Sequence, residues 1–425
     1  MSPTSNQCLL PFLPPRRPIQ PSTQTGSEAP NPTLSRKSKL SEFDPDGSSS
    51  ELKLRKESLD GEKPLSKVTL KLSKAPSSTS DIYQTAYRHR FYRGGEVLMS
   101  AISGLDIALW DIKGKTLGVP VWELLGGKVR ERCNVYGWIG GDRPSDVLEQ
   151  AKARKAQGFT AVKMNAVESL AWLDSPHALE ATVQRLKEVK SIGIDVGLDF
   201  HGRVHKTLAK QLARALEPHQ PLFIEEPLLP GHVEELKKLY AQTTIPIALG
   251  ERLFTRQDVR PYLEVSRPIV CYMDSVFTPP SLPQAGCIDI IQPDISHSGG
   301  ISETRRIANM AETYDVGFAP HCPLGPIAFA ASLQLGFSTP NFLICEMSWK
   351  MHYNLTADGK GPDLFTYIKN PEVFEVKEGM ISLLTAPGLG IEMDEELIRK
   401  NAEDNSDFSW RNPTWRGPDG GIREW

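Results

Sequence analysis

The chain has 425 residues, 24% of them charged, and a formal net charge of −3, so its composition favours neither nucleic acid nor an anionic membrane surface as a partner. No apolar run reaches the roughly 18 residues of a membrane-spanning helix, and the N-terminus lacks the pattern of a secretory signal. The six cysteines have no paired spacing, and four of them lie in or beside apolar runs, which predicts reduced thiols in a cytosolic protein.

Residues 1–80 are rich in Ser, Pro, Lys and Glu and show little apolar periodicity, which predicts a disordered, low-complexity segment. In residues 81–132, apolar side chains recur at helical spacing. Gly118 followed by Pro120 predicts where this helix ends.

Residues 133–354 alternate strand-like runs with amphipathic helices. The eight strand-like runs are CNVYGWIG, AVKMN, IDVGLDFH, PLFIEEP, IPIALGE, CIDIIQPD, VGFAPHC and FLICEMS. This count predicts an α/β fold, a (β/α)8 barrel of the TIM type. An open doubly wound sheet is disfavoured, because no G-x-G-x-x-G turn follows an early strand. Residues 355–425 form a Gly-rich segment that we expect to return to a second, smaller domain.

Three carboxylates close consecutive apolar runs at equal spacing: Asp199, Glu225 and Glu251 are each 26 residues apart. That interval fits one strand, one helix and two short loops of a barrel. The carboxyl ends of parallel strands open at the same face, so these side chains should converge and repel one another unless a hard cation lies between them. Oxygen ligands suit Mg²⁺. The alternative, three unrelated acids that cap the following helices, is disfavoured by the register.

Two histidines are candidates for proton transfer beside this predicted metal site. His201 follows Asp199 by two residues on the predicted strand, so both side chains should share a face. Asp294 and His321 end the sixth and seventh predicted strands, where the carboxylate can hold the second N–H of the imidazole. For each histidine the alternative is a structural hydrogen bond.

Lys163 and Glu346 end the second and eighth predicted strands and face the same crevice. Lys163 can serve as a base, as an electrostatic partner of the metal ligands or in a structural ion pair. Glu346 can position a substrate or cap the next helix. A metal that holds a substrate carboxylate, with a base on one side and an acid on the other, suits removal of the proton next to that carboxylate.

From about residue 81 onward the chain carries a set of short motifs: FYRGG, WDIKGK, GGDRP, LDFHGRV, LFIEEP, GER, QPDISHSGGI, APHCPLGPIA and WRNPTW. In these motifs it resembles the enolase superfamily, mandelate racemase subgroup, and within it the D-galactonate dehydratase family. The resemblance implies that Asp199, Glu225 and Glu251 bind Mg²⁺.

The resemblance also implies roles for the other candidates. His321, paired with Asp294, would take the C2 proton, and His201 would protonate the departing 3-hydroxyl of D-galactonate, giving 2-dehydro-3-deoxy-D-galactonate. We further expect Lys163, Asn165 and Glu346 to bind the substrate. Asn165 stands where racemases of the subgroup have a second lysine, which favours elimination over racemisation. We expect a homo-oligomer that acts on a small sugar acid.

In such a family, residues 81–132 would be the helical remainder of a capping domain, to which residues 355–425 return. The three-stranded sheet that opens this domain is not recognisable in residues 1–80. Two alternatives therefore stay open: a dehydratase for another aldonate, and a catalytically inert barrel without its lid.

Residues 265–284 form an unusual insert between a predicted helix and the strand CIDIIQPD. The insert has four prolines, whereas an αβ loop usually takes about 2–6 residues. It begins with Val-Ser, which the splice-donor sequence GTAAGT can encode, and ends with Gln, which the acceptor CAG encodes. We interpret it as translated intron sequence that leaves the barrel at its amino end, and the N-terminus as a faulty start. A functional insertion is the alternative.

Overall fold

The computed structural model describes residues 78–89, 91–141, 144–264, 286–349, 363–404 and 414–424. These residues belong to one compact unit, Leu54–Trp425. The predicted insert and all but the last three residues of the predicted disordered segment lie outside the described residues. Those last three are ordered, because Ser78 caps helix α1 (Thr79–Arg88) by accepting a 3.1 Å hydrogen bond from Asp81 N.

The next helix, α2 (Glu96–Leu117), ends as the sequence predicts. Gly118 adopts a left-handed φ of +72° there, and Val121 begins the short helix α3 (Val121–Leu124). Ile102 of α2 is buried, but Ile112 is 40% exposed. Asp106 is buried instead, where it accepts hydrogen bonds from the backbone and hydroxyl of Ser302.

Eight parallel strands make up the sheet in the described part of the chain. They are β1 (Arg132–Ile139), β2 (Ala161–Asn165), β3 (Asp195–Asp199), β4 (Phe223–Glu225), β5 (Ile247–Leu249), β6 (Ile290–Ile291), β7 (Gly317–Phe318) and β8 (Cys345–Met347). Their order is β7-β6-β5-β4-β3-β2-β1-β8, and a parallel bridge between Phe318 and Phe342 links its two ends. The predicted (β/α)8 barrel is therefore confirmed. A ninth strand, β9 (Met380–Ser382), pairs antiparallel with β1.

The remaining helices follow the strands in alternation. They are α4 (Val147–Ala156), α5 (Pro176–Lys190), α6 (Lys206–Leu216), α7 (Val233–Tyr240), α8 (Arg256–Leu263), α9 (Gly300–Glu312), α10 (Pro326–Ser338) and, in the C-terminal segment, α11 (Glu395–Asp404). In α6, Leu208, Leu212 and Leu216 recur every four residues and are buried in the main apolar core. No described helix has the length and apolar character that crossing a membrane requires.

The interior of the barrel is apolar at one level and charged at the next. Tyr136, Phe223 and Ile290 belong to a separate apolar cluster. Phe223 lies beside Gly197 on β3, where a Cβ atom would come within 2.5 Å of the ring, so only glycine fits. Two residues further along β4, towards the carboxyl ends of the strands, is Glu225. The apolar layer therefore supports the carboxylates from below.

The described cysteines agree with a reduced, buried state. They are buried and form no disulfide bonds: Cys133, Cys287, Cys322 and Cys345. Burial raises the pKa of each of these thiols, so they stay protonated at neutral pH.

The described residues on either side of the predicted insert lie against each other. Tyr262 O in the last turn of α8 accepts a 2.9 Å hydrogen bond from Cys287 N. A Cβ atom on Gly286 would lie 2.0 Å from the same oxygen. If Ala285 followed Glu264 directly, this bond would span the 6→1 interval that closes many helices, with Gly286 where glycine is most common. Because α8 precedes β6 in the chain, the residues between them join the amino end of that strand.

We predict that deletion of residues 265–284 leaves the fold intact. Its free energy of unfolding should rise by about 1–2 kcal/mol, because a shorter connection loses less entropy on folding. Thermal and urea unfolding followed by circular dichroism measure this. A Gly/Ser segment of equal length is the matched control and should keep the parent's stability. A deletion variant that unfolds, or melts well below the parent, would show that the segment belongs to the fold.

Candidate active site

The three equally spaced carboxylates meet at the carboxyl ends of β3, β4 and β5. Asp199 and Glu225 are direct neighbours in the β3–β4 register. Glu251 follows β5 after Gly250, whose φ of +148° and close approach to the Gln292 backbone leave no room for a side chain. Their side chains are 4%, 0% and 9% exposed, respectively. The crevice therefore holds two buried acids and a third that is almost buried.

Burial opposes the ionised form of two of these acids. Burial raises the pKa of Asp199 to about 6, although Lys163 opposes the shift, and Glu251 adds to it. Burial likewise raises the pKa of Glu225 to about 8, against the attraction of Lys163. A bound divalent cation would favour the ionised form of both.

Lys163 supplies the positive charge below the acids. Its Nζ lies 2.9 Å from both oxygens of Glu225, 3.1 Å from Glu346 Oε1 and 3.9 Å from Asp199 Oδ2. Its side chain is 2% exposed. Desolvation lowers its pKa, but the attraction of these carboxylates outweighs burial and holds the pKa well above its usual value. Of the predicted roles, this geometry favours the electrostatic partner.

The structure brings Asp294 and His321 together across β6 and β7. His321 Nδ1 lies 2.8 Å from Asp294 Oδ2. Its Nε2 lies 2.8 Å from Glu251 Oε2, inside the crevice. Burial would raise the pKa of Glu251, but the attraction of His321 outweighs it and holds that pKa well below its usual value. The imidazole is therefore fixed from both sides.

His201 lies on the other side of the acids, but the reason for predicting it there was wrong. Strand β3 ends at Asp199, and His201 occupies a turn with a left-handed φ of +54°, so alternation along a strand does not apply. The turn still directs Nε2 to 3.8 Å from Glu251 Oε1. Desolvation lowers the pKa of His201. The two imidazoles thus flank one carboxylate.

The two other predicted substrate-binding residues line the same crevice. Asn165 pairs in register with Asp199 and donates a 3.2 Å hydrogen bond to Gly141 O. Glu346 Oε2 accepts a 3.1 Å hydrogen bond from Cys322 N, and its other oxygen pairs with Lys163. Contact of either side chain with a substrate stays a prediction.

The donor set fits a divalent cation. Glu225, Glu251 and His321 each offer a ligand atom, and these atoms lie within 4.8 Å of one another. This group differs from the predicted one in containing His321 in place of Asp199. Because Asp199 is the strand neighbour of Glu225 and repels Glu251, an oxygen-only set is also within reach. A hard cation prefers the oxygen set, whereas a borderline metal accepts the imidazole.

Three further residues at the site were missed by sequence reasoning. Gln292 Nε2 donates a 2.9 Å hydrogen bond to Glu225 Oε2. Glu226 and Arg252 each follow a predicted metal ligand directly and form an ion pair with each other, 2.9 Å between Nε and Oε2. The motifs EEP, GER and QPD could have indicated them, since each motif also contains a residue that the sequence analysis predicted at the site.

Comparisons with known proteins agree with this geometry. The model of the mandelate racemase / muconate lactonizing enzyme N-terminal domain matches residues 65–126, and that of the enolase C-terminal domain-like family matches residues 146–275 and 271–397. The N-terminal match begins inside the predicted disordered segment, and the two C-terminal matches meet inside the predicted insert. The chain belongs to the enolase superfamily, and members of that superfamily bind a divalent metal ion.

Individual relatives narrow the comparison. D-galactonate dehydratases of Xanthomonas euvesicatoria and Variovorax paradoxus are each 47% identical over 83% of this chain and 86% of their own. A crystal structure from Agrobacterium radiobacter, provisionally assigned as a galactarate dehydratase and holding sodium and L-malate, superposes with a TM-score of 0.69 at 30% identity, covering 83% of this chain and 86% of that one. An enolase-superfamily member from Salmonella Typhimurium gives 0.63 at 28% identity, covering 76% and 82%.

We predict that Lys163→Met destabilises the protein by about 3–5 kcal/mol, because it leaves buried carboxylates without their counter-charge. A divalent cation should restore part of this loss. Urea unfolding with and without the cation measures both effects. Lys152→Met, which removes an exposed lysine paired with Glu149, is the matched control and should change stability by less than about 1 kcal/mol. Equal effects of the two substitutions would contradict the account.

We also predict that Mg²⁺ stabilises the protein and so raises its melting temperature. At 100 times the dissociation constant of Mg²⁺, the free energy of unfolding should rise by about 2.7 kcal/mol. Asp199→Asn, Glu225→Gln and Glu251→Gln should each abolish this shift, and the exposed Glu188→Gln should not. Because a cation must displace protons from Asp199 and Glu225, the shift should grow between about pH 6 and pH 8. A shift that is independent of pH, or intact in all three variants, would argue against this site.

Proposed function

We propose that the protein is a Mg²⁺-dependent dehydratase that converts D-galactonate into 2-dehydro-3-deoxy-D-galactonate. The observation that carries the proposal is the pair of imidazoles on opposite sides of a three-carboxylate crevice, one of them in a dyad with a buried aspartate. The 47% identity to D-galactonate dehydratases over most of the chain supports the choice of substrate.

Asp199, Glu225 and Glu251 would hold the cation. When bound, the cation neutralises the substrate carboxylate and stabilises the charge that develops on it as the C2 proton leaves. Lys163 favours the ionised form of Asp199 and Glu225 from below, and Gln292 orients Glu225, so the ligand positions are fixed by the protein. Oxygen ligands throughout are the reason to propose Mg²⁺.

His321 is the proposed base. Its Nδ1 is engaged by Asp294, which fixes the tautomer and leaves Nε2 free of that bond and directed into the crevice. The C2 proton would pass to Nε2. His201 is the proposed acid: its proton joins the departing 3-hydroxyl as water, and the resulting enol becomes the 2-keto product. Desolvation would lower the pKa of His321, but the attraction of Glu251 and Glu346 holds it well above its usual value. A cation bound to Glu251 would weaken that attraction and so favour the neutral imidazole that a base requires.

Asn165 supports elimination over racemisation. Racemisation needs a second base on the opposite face of C2, and an amide that donates to Gly141 O cannot accept a proton there. Lys163, on the same strand, is held by Glu225 and Glu346. A cytosolic location and a homo-oligomeric state are part of this proposal, and light scattering of the purified protein tests the second.

We predict that the two histidines separate the two half-reactions. His321→Asn should lose both dehydration and exchange of the C2 proton with solvent deuterium, by about 100-fold or more. His201→Asn should keep the exchange and lose dehydration. Proton NMR of the sugar acid in D2O with Mg²⁺ follows both processes. Exchange that survives in His321→Asn would remove it as the base.

A panel of aldonates, including galactonate, gluconate and arabinonate, assayed with the wild-type protein tests the substrate. We expect the highest kcat/KM for D-galactonate. A higher value for another aldonate would change the substrate while keeping the chemistry. No turnover of any of them would favour an inert barrel.

A further inference from the structure

Two residues at the site hold an unusual backbone conformation. His201 has φ of +54° and Glu226 has φ of +39°, and they follow the neighbouring strands β3 and β4. Residues other than glycine rarely occupy this left-handed region, and each such residue costs about 1–3 kcal/mol, so it persists only where the surroundings impose it. The two turns also bind each other, since Gly202 N donates a 2.9 Å hydrogen bond to Glu226 O.

One guanidinium contacts both turns and the next strand end. Arg252 Nη2 donates a 2.7 Å hydrogen bond to His201 O. Its Nε lies 2.9 Å from Glu226 Oε2 and donates to Glu251 Oε1 at 3.4 Å. Arginine therefore joins β3, β4 and β5 at the level of the active site. The planar guanidinium presents its donors in fixed directions, which a lysine ammonium cannot reproduce.

The two side chains of the Arg252–Glu226 ion pair differ in their exposure to solvent. The Glu226 side chain is 2% exposed, whereas that of Arg252 is 30% exposed. Among the described residues, Arg252 is the cation within ion-pair distance of Glu226, so the carboxylate fixes where the guanidinium lies.

We propose that Arg252, oriented by Glu226, is a positioning residue for His201. It acts through the His201 carbonyl and imposes the left-handed turn that directs the imidazole to Glu251. The inference rests on the proposed function where it treats His201 as the acid. Its consequence is that loss of Arg252 should impair the departure of the 3-hydroxyl and spare proton removal by His321, which the guanidinium does not contact in the described structure.

The test compares Arg252→Met, Arg252→Lys and Glu226→Gln with the control Arg256→Met. Arg256 lies on α8 outside the site and pairs with buried Glu303 at 2.7 Å, so its substitution also removes a half-exposed arginine from a buried acid. We expect dehydration to fall about 100-fold in Arg252→Met, since a displacement of about 1 Å has that effect. C2 exchange should fall far less than dehydration does. Arg252→Lys and Glu226→Gln should change the ratio in the same direction, and Arg256→Met should leave it unchanged.

A crystal structure of Arg252→Met, or of Arg252→Lys if the first does not fold, is the readout that needs no activity. We expect the His201 carbonyl to turn and φ to leave the left-handed region. An unchanged His201 turn would overturn the inference even if the wild-type protein proved inactive. In an active protein, equal losses of exchange and dehydration would overturn it as well. Failure of the proposed function shows separately, as absent turnover by the wild type.

Discussion

The ion pairs of Lys163 are the constraint on which the site depends. A buried ammonium lies 2.9 Å from Glu225 and 3.1 Å from Glu346, inside a barrel whose next layer is apolar. Without it, adjacent strands would end in carboxylates with no counter-charge, and folding would favour protonated acids that bind no metal. With it, one buried positive charge favours the ionised form of Asp199 and Glu225, although burial still raises the pKa of both. A divalent cation bound between them would favour the ionised form further.

Much of the fold and most of the candidate site could be predicted because both follow strand periodicity. Equal spacing of Asp199, Glu225 and Glu251 is a property of the repeating unit, so it appears in the sequence and again in the β3–β4 register. What could not be predicted depends on conformations that break that periodicity. His201 reaches the site from a left-handed turn, and Arg252 acts through a backbone carbonyl. Such contacts form only when the folded chain brings distant residues together, so no regular spacing in the sequence marks them.

The position of the predicted insert in the chain indicates which end of the barrel tolerates added residues. Its active site opens at the carboxyl ends of the strands, whereas the described residues that flank the predicted insert, Tyr262 and Cys287, lie next to each other ahead of β6, at the amino end. Loops at the two ends of a parallel barrel are separated by the length of the strands. An addition at the α8–β6 connection can therefore leave the geometry of His201, His321 and the carboxylates unchanged. The match to the N-terminal domain family begins at residue 65, so part of the matched capping segment lies outside the described residues.

The central claim is that three carboxylates, and not an imidazole, hold the metal. Anomalous diffraction from crystals grown with Mn²⁺, an anomalous scatterer that can replace Mg²⁺, tests it most directly. The account predicts one peak at bonding distance from Asp199, Glu225 and Glu251, with His321 released from Glu251 and still bound to Asp294. A peak bonded to His321 Nε2 and lacking Asp199 would contradict it, because an imidazole bound to the metal cannot remove the C2 proton.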